Sequence, residues 1–500
     1  MKLNLQSKNF RIILFSVIGL AVLGLVVLLL SVTSPSEGEE EETTAATSTI
    51  DPALVLQPED KGDIVSITVE NTLGSFTARL HDHDGDSHWI IDDFDVDESL
   101  LAQNMLESLA STVTNMTARS VIEEDPADLA QYGLDKPQAT VTVNYTDGSF
   151  KLMIGDVVTS GSANYVMIND DPTVYSYYTY EISSLMSNDK MSMINTVVVP
   201  SYDNEAAPKI KKITVIRKDL DKPIVLEALP DVPEDSDSIQ IYSYTFTSPG
   251  DVYLDLNTGT NYLYAMFGLS ASKAAYTEVT DETKAATGLD DPFCEVDMLV
   301  EDVIYRLYIG DAITEEVTDT TTGAVTEKVT GYYGICNKVP DVIYIFDKSS
   351  VIWAEMQPTD YMSKLFLVPY IYDVDTLHYH DSDLDFTVTI TGTNEDNAMY
   401  LDGKEIDSAL FRSFYQYLVS CRGEDMYTDE ARGDFIAEFT YNYEDKREPD
   451  TVTFYASEEG RDLIIAINGS NIFKTKWNYG TRLQENAQAL VKGEEIVQNY

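Results

Sequence analysis

Apolar and polar positions change period several times along the chain, and each change marks an element. From Ile12 to Val32 (IILFSVIGLAVLGLVVLLLSV) there is neither charge nor period. As a helix this run reaches about 31 Å at ~1.5 Å per residue, the thickness of a bilayer's hydrocarbon core. Lys2, Lys8 and Arg11 precede it and no basic residue follows closely, so residues 1–11 are expected in the cytoplasm and the rest outside. A cleaved signal peptide has a shorter apolar region ending in a small-x-small site. Here the run continues into Ser34-Pro35-Ser36-Glu37, which favours an uncleaved single-pass anchor over 12–32. Residues 33–60 open with TSPSEGEEEETTAATSTI, have no apolar face, and are expected to form an acidic, disordered linker.

Beyond the linker, period two dominates. Ile64 to Val69, Ala139 to Tyr145, Ser149 to Ile154 and Ile213 to Ile216 alternate as strands do, with a hairpin turn at Thr146-Asp147-Gly148. Helical spacing interrupts them. Asp97 caps a stripe of Leu101, Met105 and Leu109. A weaker helix is expected from Thr260 to Leu269, and Asp407 caps Leu410, Phe414, Leu418 and Cys421.

The chain also repeats itself. Tyr132-Gly133-Leu134-Asp135-Lys136-Pro137 returns as Thr287-Gly288-Leu289-Asp290-Asp291-Pro292, and Leu152-Met153-Ile154-Gly155-Asp156 returns as Leu307-Tyr308-Ile309-Gly310-Asp311. Both pairs hold one offset: 288 − 133 = 155 and 310 − 155 = 155. Asp125-Pro126 reads as a helix start, Gly133 as the left-handed stop, Pro137 as the residue that prevents resumption, and Gly155 and Gly310 as strand ends. The copies close alike, with Asp189-Lys190-Met191-Ser192 then Val198-Val199-Pro200, and Asp360-Tyr361-Met362-Ser363 then Leu367-Val368-Pro369. A third copy fits from Val374 to Leu490 by element order alone. It lacks both glycine motifs. The segment between Asp311 and Tyr333 is extra in the second copy and predicts a polar hairpin. The expected fold is α+β: tandem repeats of a mainly antiparallel sheet with packed helices, over 61–200, 201–370 and 371–500, behind one transmembrane helix.

Charge narrows the partners. With 33 Lys+Arg against 85 Asp+Glu, net −52, the chain lacks the cations that phosphate contacts need, so nucleic acid is excluded as a partner and anionic lipid disfavoured. Hydrophobic residues still make up 44%, enough for a sizeable core. Three cysteines (Cys294, Cys336, Cys421) form no disulfide framework and are expected to be buried thiols.

Candidate chemistry is sparse. All five histidines fall in two groups, His81, His83, His88 and His378, His380. Alternation puts His81 with His83, and His378 with His380, on one strand face, where a pair suits Zn²⁺ or Cu²⁺ and equally suits water. Asp82, Asp84 and Asp86 have calcium-loop composition without the downstream Glu, and read better as a turn. Asp381, Asp383 and Asp385 read as a carboxylate edge that discourages strand pairing. Asp156 and Asp311 read as turn residues rather than paired catalytic acids. Signatures of serine hydrolases, zinc proteases and P-loops are missing, and neither catalytic, cofactor nor metal residues are assigned. The 32 Tyr are expected on half-buried strands, with a Tyr-lined glycan face as the alternative.

On Trp89-Ile90-Ile91, Tyr132-Gly133-Leu134-Asp135-Lys136-Pro137, Ile154-Gly155-Asp156 and Tyr165-Val166, the chain resembles the DUF4340 family of bacterial proteins. The second copy carries Thr287 where the family has Tyr. That resemblance implies an N-terminal membrane helix and an accessory role beside an ABC-type export system, including those grouped with gliding motility, with permease subunits as partners. No catalytic residue comes with it. The expected function is therefore a membrane-anchored, extracytoplasmic, non-enzymatic scaffold. The alternative is a binding module for cell-envelope polymer or divalent cations.

Overall fold

The computed structural model describes residues 52–56, 62–83, 86–114, 116–169, 171–202, 207–231, 242–318, 321, 323–357, 359–392, 397–445 and 447–500. The expected span at 12–32, its cytoplasmic flank and nearly all of the linker lie outside them. Among the described residues no helix is long and apolar enough to cross a membrane. The chain divides into Met1–Leu56, of which a turn at Pro52–Leu54 is described, and the compact body Gln57–Tyr500.

The body holds three sheets in series. In the first, β1 (Ile64–Asn71), β2 (Gly74–His83) and β3 (Asp86–Ile91) form a meander. A helix α1 (Gln103–Thr114) and a short strand β4 (Ser120–Glu123) follow. A second meander, β5 (Ala139–Tyr145), β6 (Gly148–Val157), β7 (Ala163–Ile168) and β8 (Val174–Tyr178), then runs into α2 (Thr179–Ser187). The order is β3-β2-β1-β5-β6-β7-β8-β4, so the first strands of the two meanders meet at the centre and β4 takes the far edge. Period two explains the packing. Ile67, Val69, Val141, Val143, Leu152 and Ile154 are buried on one face beneath α1 and α2, while Thr68 and Thr77 share a hydroxyl bond of 2.9 Å on the other.

The second sheet repeats this plan with β9 (Ile210–Arg217), β10 (Ile224–Ala228), β11 (Tyr244–Ser248) and β12 (Val252–Tyr253). Then come α3 (Gly259–Tyr264), β13 (Lys273–Tyr276) and α4 (Asp281–Ala285). Its second meander is β14 (Cys294–Val300), β15 (Val303–Thr318), β16 (Val325–Cys336) and β17 (Val339–Asp347), in the order β12-β11-β10-β9-β14-β15-β16-β17-β13. The extra segment forms a hairpin, Thr314 pairing with Val329 through Thr318 with Val325, exposed on both faces.

The third sheet has β18 (Val374–Asp381), β19 (Asp385–Thr391), β20 (Ala398–Leu401) and β21 (Lys404–Ile406), then α5 (Ser408–Val419) and β22 (Asp425–Met426). Strands β23 (Phe435–Tyr443), β24 (Asp450–Ala456), β25 (Asp462–Ile467) and β26 (Ser470–Lys476) precede α6 (Trp477–Lys492). The order β21-β20-β19-β18-β23-β24-β25-β26-β22 matches that of the second sheet strand for strand. All strand pairs described are antiparallel.

Several expectations shift. Asp97 caps a single turn at Glu98–Leu100, and Leu101 is drawn into a bridge with Ile194. That breaks the helix before α1, whose buried stripe is Leu106, Leu109 and Val113, leaving Met105 38% exposed. In α5 the buried positions are Phe411, Phe414, Tyr415, Tyr417 and Leu418, not Leu410. The turn before Gly133 is one short Leu129–Tyr132 segment capped by Asp128, not Asp125. Tyrosines fill the third core outright: Tyr379, Tyr417, Tyr441 and Tyr479 are fully buried, with the rings of Tyr417 and Tyr479 stacked 4.9 Å apart.

The sheets are joined by equivalent returns. After the first sheet Ile194 bridges Leu101, and after the second Met362 bridges Leu254. Each linker then touches the next unit: Ala271 N–H donates to Thr196 O at 2.8 Å, and Gly423 N–H to Lys364 O at 2.9 Å.

Candidate functional site

Gly133 and Gly288 occupy the same left-handed conformation, φ 66° and 67°. A Cβ on Gly133 would sit 2.6 Å from the Asp156 carboxyl carbon, and one on Gly288 2.6 Å from that of Asp311. A Cβ on Gly155 would meet Tyr132 O at 2.2 Å, and on Gly310 Thr287 O at 2.1 Å. Neither Gly155 nor Gly310 ends its strand. Both lie at register shifts inside β6 and β15, where the missing side chain lets the preceding loop's carbonyl press on the strand. Asp156 and Asp311 thus stand in separate sheets, each over its own glycine, and do not form a carboxylate pair. The Tyr132 hydroxyl donates to Glu123, which pushes it up to about 12.

The histidines group differently in the two sheets. His81 stands opposite His88 across β2 and β3, rings edge to face at 5.5 Å, and His88 Nε2 lies 3.0 Å from Glu98 Oε2. The side chains of His83 and Asp86, and Asp84 entirely, lie outside the described residues. In the third sheet His378 Nε2 lies 2.9 Å from Asp385 Oδ1, and His380 Nδ1 3.8 Å from Asp385 Oδ2. The hydrogen bond to His378 holds the Asp385 carboxyl below the ordinary carboxylate range. Asp381 departs from the expected exposed edge. It is buried, accepts from the Tyr379 hydroxyl at 2.7 Å and from the N–H groups of Asp383 and Leu384 at 2.8 and 2.7 Å, and so shapes the β18–β19 turn. Among the described residues no three His, Cys, Asp or Glu side chains surround a common point fit for a metal ion.

The three thiols are buried and unbridged. Burial pushes Cys294 up to about 12 despite the nearby Arg217, and raises Cys336 and Cys421. None has the electropositive, accessible setting of a nucleophile. At the seam of the first two sheets a cleft of about 300 Å³ opens between Asp97, Ser99, Asn195, Lys338, Asp341 and Tyr344. The Tyr344 hydroxyl donates to Asn195 O at 3.0 Å, and Lys338 Nζ lies 4.2 Å from the centre of the Tyr305 ring.

Pattern reading missed three groups. Arg217, 4% exposed at the end of β9, holds Asp219 through two bonds of 2.8 and 2.7 Å and donates to Trp353 O and Met356 O. It thereby fixes the turn at Ile352–Ala354. Asn169, Asn337 and Asn468 each follow the third strand of a second meander. Each exchanges two bonds with the second strand, its Oδ1 accepting from Lys151, Arg306 or Thr451 N–H at 2.9, 2.9 and 2.8 Å. Gln103 of α1 bonds both backbone groups of Trp89, at 2.8 and 2.9 Å. The three asparagines mark the copies as clearly as the glycines do, and their shared place directly after an apolar strand was the available signal.

Gly133, Gly155 and Gly288 lie in a stretch that a known family matches, and Gly310 lies beyond it. The family model described as Domain of unknown function (DUF4340) matches residues 98–292. Residues 98–292 thus carry the DUF4340 pattern. The DUF4340 match begins in the turn before α1 and ends just ahead of β14, so it joins the later part of the first sheet to the earlier part of the second. Trp89 and the whole third sheet fall outside it. No curated protein and no solved structure matches the chain.

Proposed function

We propose that this protein is a single-pass, membrane-anchored extracytoplasmic scaffold, an accessory component of an ABC-type transport assembly. The observation that carries the reading is the DUF4340 match, since the family resemblance is what implies the transporter. The uncharged run Ile12–Val32 behind Lys2, Lys8 and Arg11 supports anchorage with the N-terminus inside. A non-enzymatic role agrees with the buried thiols and with Asp156 and Asp311 lying in separate sheets. Its partners would be permease subunits, met through the membrane helix and the sheet edges.

Purification of the full chain at native expression from detergent-solubilised membranes tests this. Recovery of a permease and its ATPase in fixed proportion is expected; repeated recovery of the chain alone contradicts it. One observation favours envelope polymer as a second ligand class: Tyr178 and Tyr180, 39% and 74% exposed, hold their rings 5.5 Å apart beside Arg119. Binding to a glycan array that Y180A abolishes would support that reading.

A further inference from the structure

Only five histidines occur in 500 residues, and two of them share one face of the third sheet. On β18, His378 and His380 are two positions apart, while Leu377 and Tyr379 beside them are fully buried, so both imidazoles face away from the core. Their side chains are 40% and 47% exposed. Strand pairing sets Asp385 of β19 opposite His380, with its carboxylate hydrogen-bonded to His378 and 3.8 Å from the His380 ring nitrogen. On the other flank Glu438 of β23 stands opposite His380, and the Phe435 ring lies 5.4 Å from the His380 ring.

We propose that His378 and His380 chelate one divalent transition-metal ion, with Asp385 as the carboxylate that orients His378. Neighbours on one strand face stand about 6.6 Å apart along the strand, at ~3.3 Å per residue. Two imidazoles can close that gap on an ion about 2.0–2.1 Å from each nitrogen. A ligating imidazole keeps its tautomer when its other ring nitrogen gives its proton to a carboxylate. Asp385 bonds His378 through Nε2, so the lone pair left for an ion is on Nδ1; in His380 the nitrogen away from Asp385 is Nε2. Two protein ligands leave the remaining positions to water, so no three-residue cage is required. Imidazole and water suit Cu²⁺ first and Zn²⁺ after it, and Glu438 with the net charge of −52 raises the local cation concentration. The histidines of the first sheet lie differently, ring packed against ring across two strands.

Cu²⁺ titration of the full chain without an affinity tag, read by electron paramagnetic resonance, tests the site. The expected result is one bound ion per chain whose hyperfine pattern reports two nitrogens. H378Q/H380Q should lose that component while its metal-free melting midpoint stays near that of the parent. H81Q/H88Q should keep it, and D385N should weaken binding about 10–100-fold. An H378Q/H380Q variant that binds like the parent, or a signal lost only in H81Q/H88Q, overturns the site. Unchanged affinity in D385N removes Asp385 from it.

Discussion

The first and third sheets share one plan, with three strands in the first meander of one and four in that of the other, and close it by different chemistry. In the first, as in the second, a left-handed glycine ends a loop and a second glycine inside the strand receives that loop's carbonyl. The third has neither motif, yet the loop still closes on the strand. There the glycine has moved to the loop: Gly433 N–H donates to Ala456 O at 2.8 Å, and a Cβ on Gly433 would meet that oxygen at 2.7 Å. The copies share a close backbone approach, and either partner can supply the missing side chain. The asparagine clamps are common to all three sheets, so the turn after each third strand, rather than the glycine motif, is the most persistent signature of the unit.

Substitutions that close the glycine contact should break the first two units hardest. G155A and G310A each push a methyl into a backbone oxygen that no rotamer change relieves, and should each lower stability by about 3–4 kcal/mol in chemical denaturation. G433A, with a longer approach, should do less. If G155A is harmless while G310A is not, the two units differ more than their geometry implies.

A second difference sharpens the comparison. The first and third sheets end in α2 and α6, but the second ends in a turn held by Arg217. R217M strands the Trp353 and Met356 carbonyls and should cost about 2–3 kcal/mol. An unchanged denaturation midpoint would show that the turn holds without the guanidinium.

Next come the clamps. N169A, N337A and N468A each remove an acceptor from one strand N–H, and each should cost about 1 kcal/mol. Similar losses at all three sites are expected; a neutral N468A would set the third sheet apart.

The smallest expected effect is on acid stability. Arg217 holds the Asp219 carboxyl below its ordinary range. A depressed carboxyl adds stability that is fully present above its unfolded value of about 4 and is lost as pH falls through the lower folded value. D219N should flatten that part of an acid-unfolding curve and leave the neutral region nearly unchanged in slope.

How much of this was legible follows from the range of each interaction. The left-handed glycines, the strands after Pro137 and Pro292 and the extra hairpin are local, and their residues announce them. Helix phases went astray because Leu101 is claimed by Ile194, a partner 93 positions away (194 − 101). Asp381 looked like an exposed edge because its ligands are the backbone of its own turn and the hydroxyl of Tyr379, which alternation cannot show. At the candidate site, spacing two apart placed His378 and His380 on one face. Asp385 needed the register of β19 on β18, just as the meeting of His81 with His88 needed that of β3 on β2.

Hydrogen exchange at the Lys151, Arg306 and Thr451 amides tests the three-copy account most directly. Each amide donates to its clamp asparagine, so strong and comparable protection at all three is predicted, with each falling when its own asparagine becomes alanine. Free exchange at Thr451 beside protected Lys151 and Arg306 would contradict a third copy built on the plan of the first two.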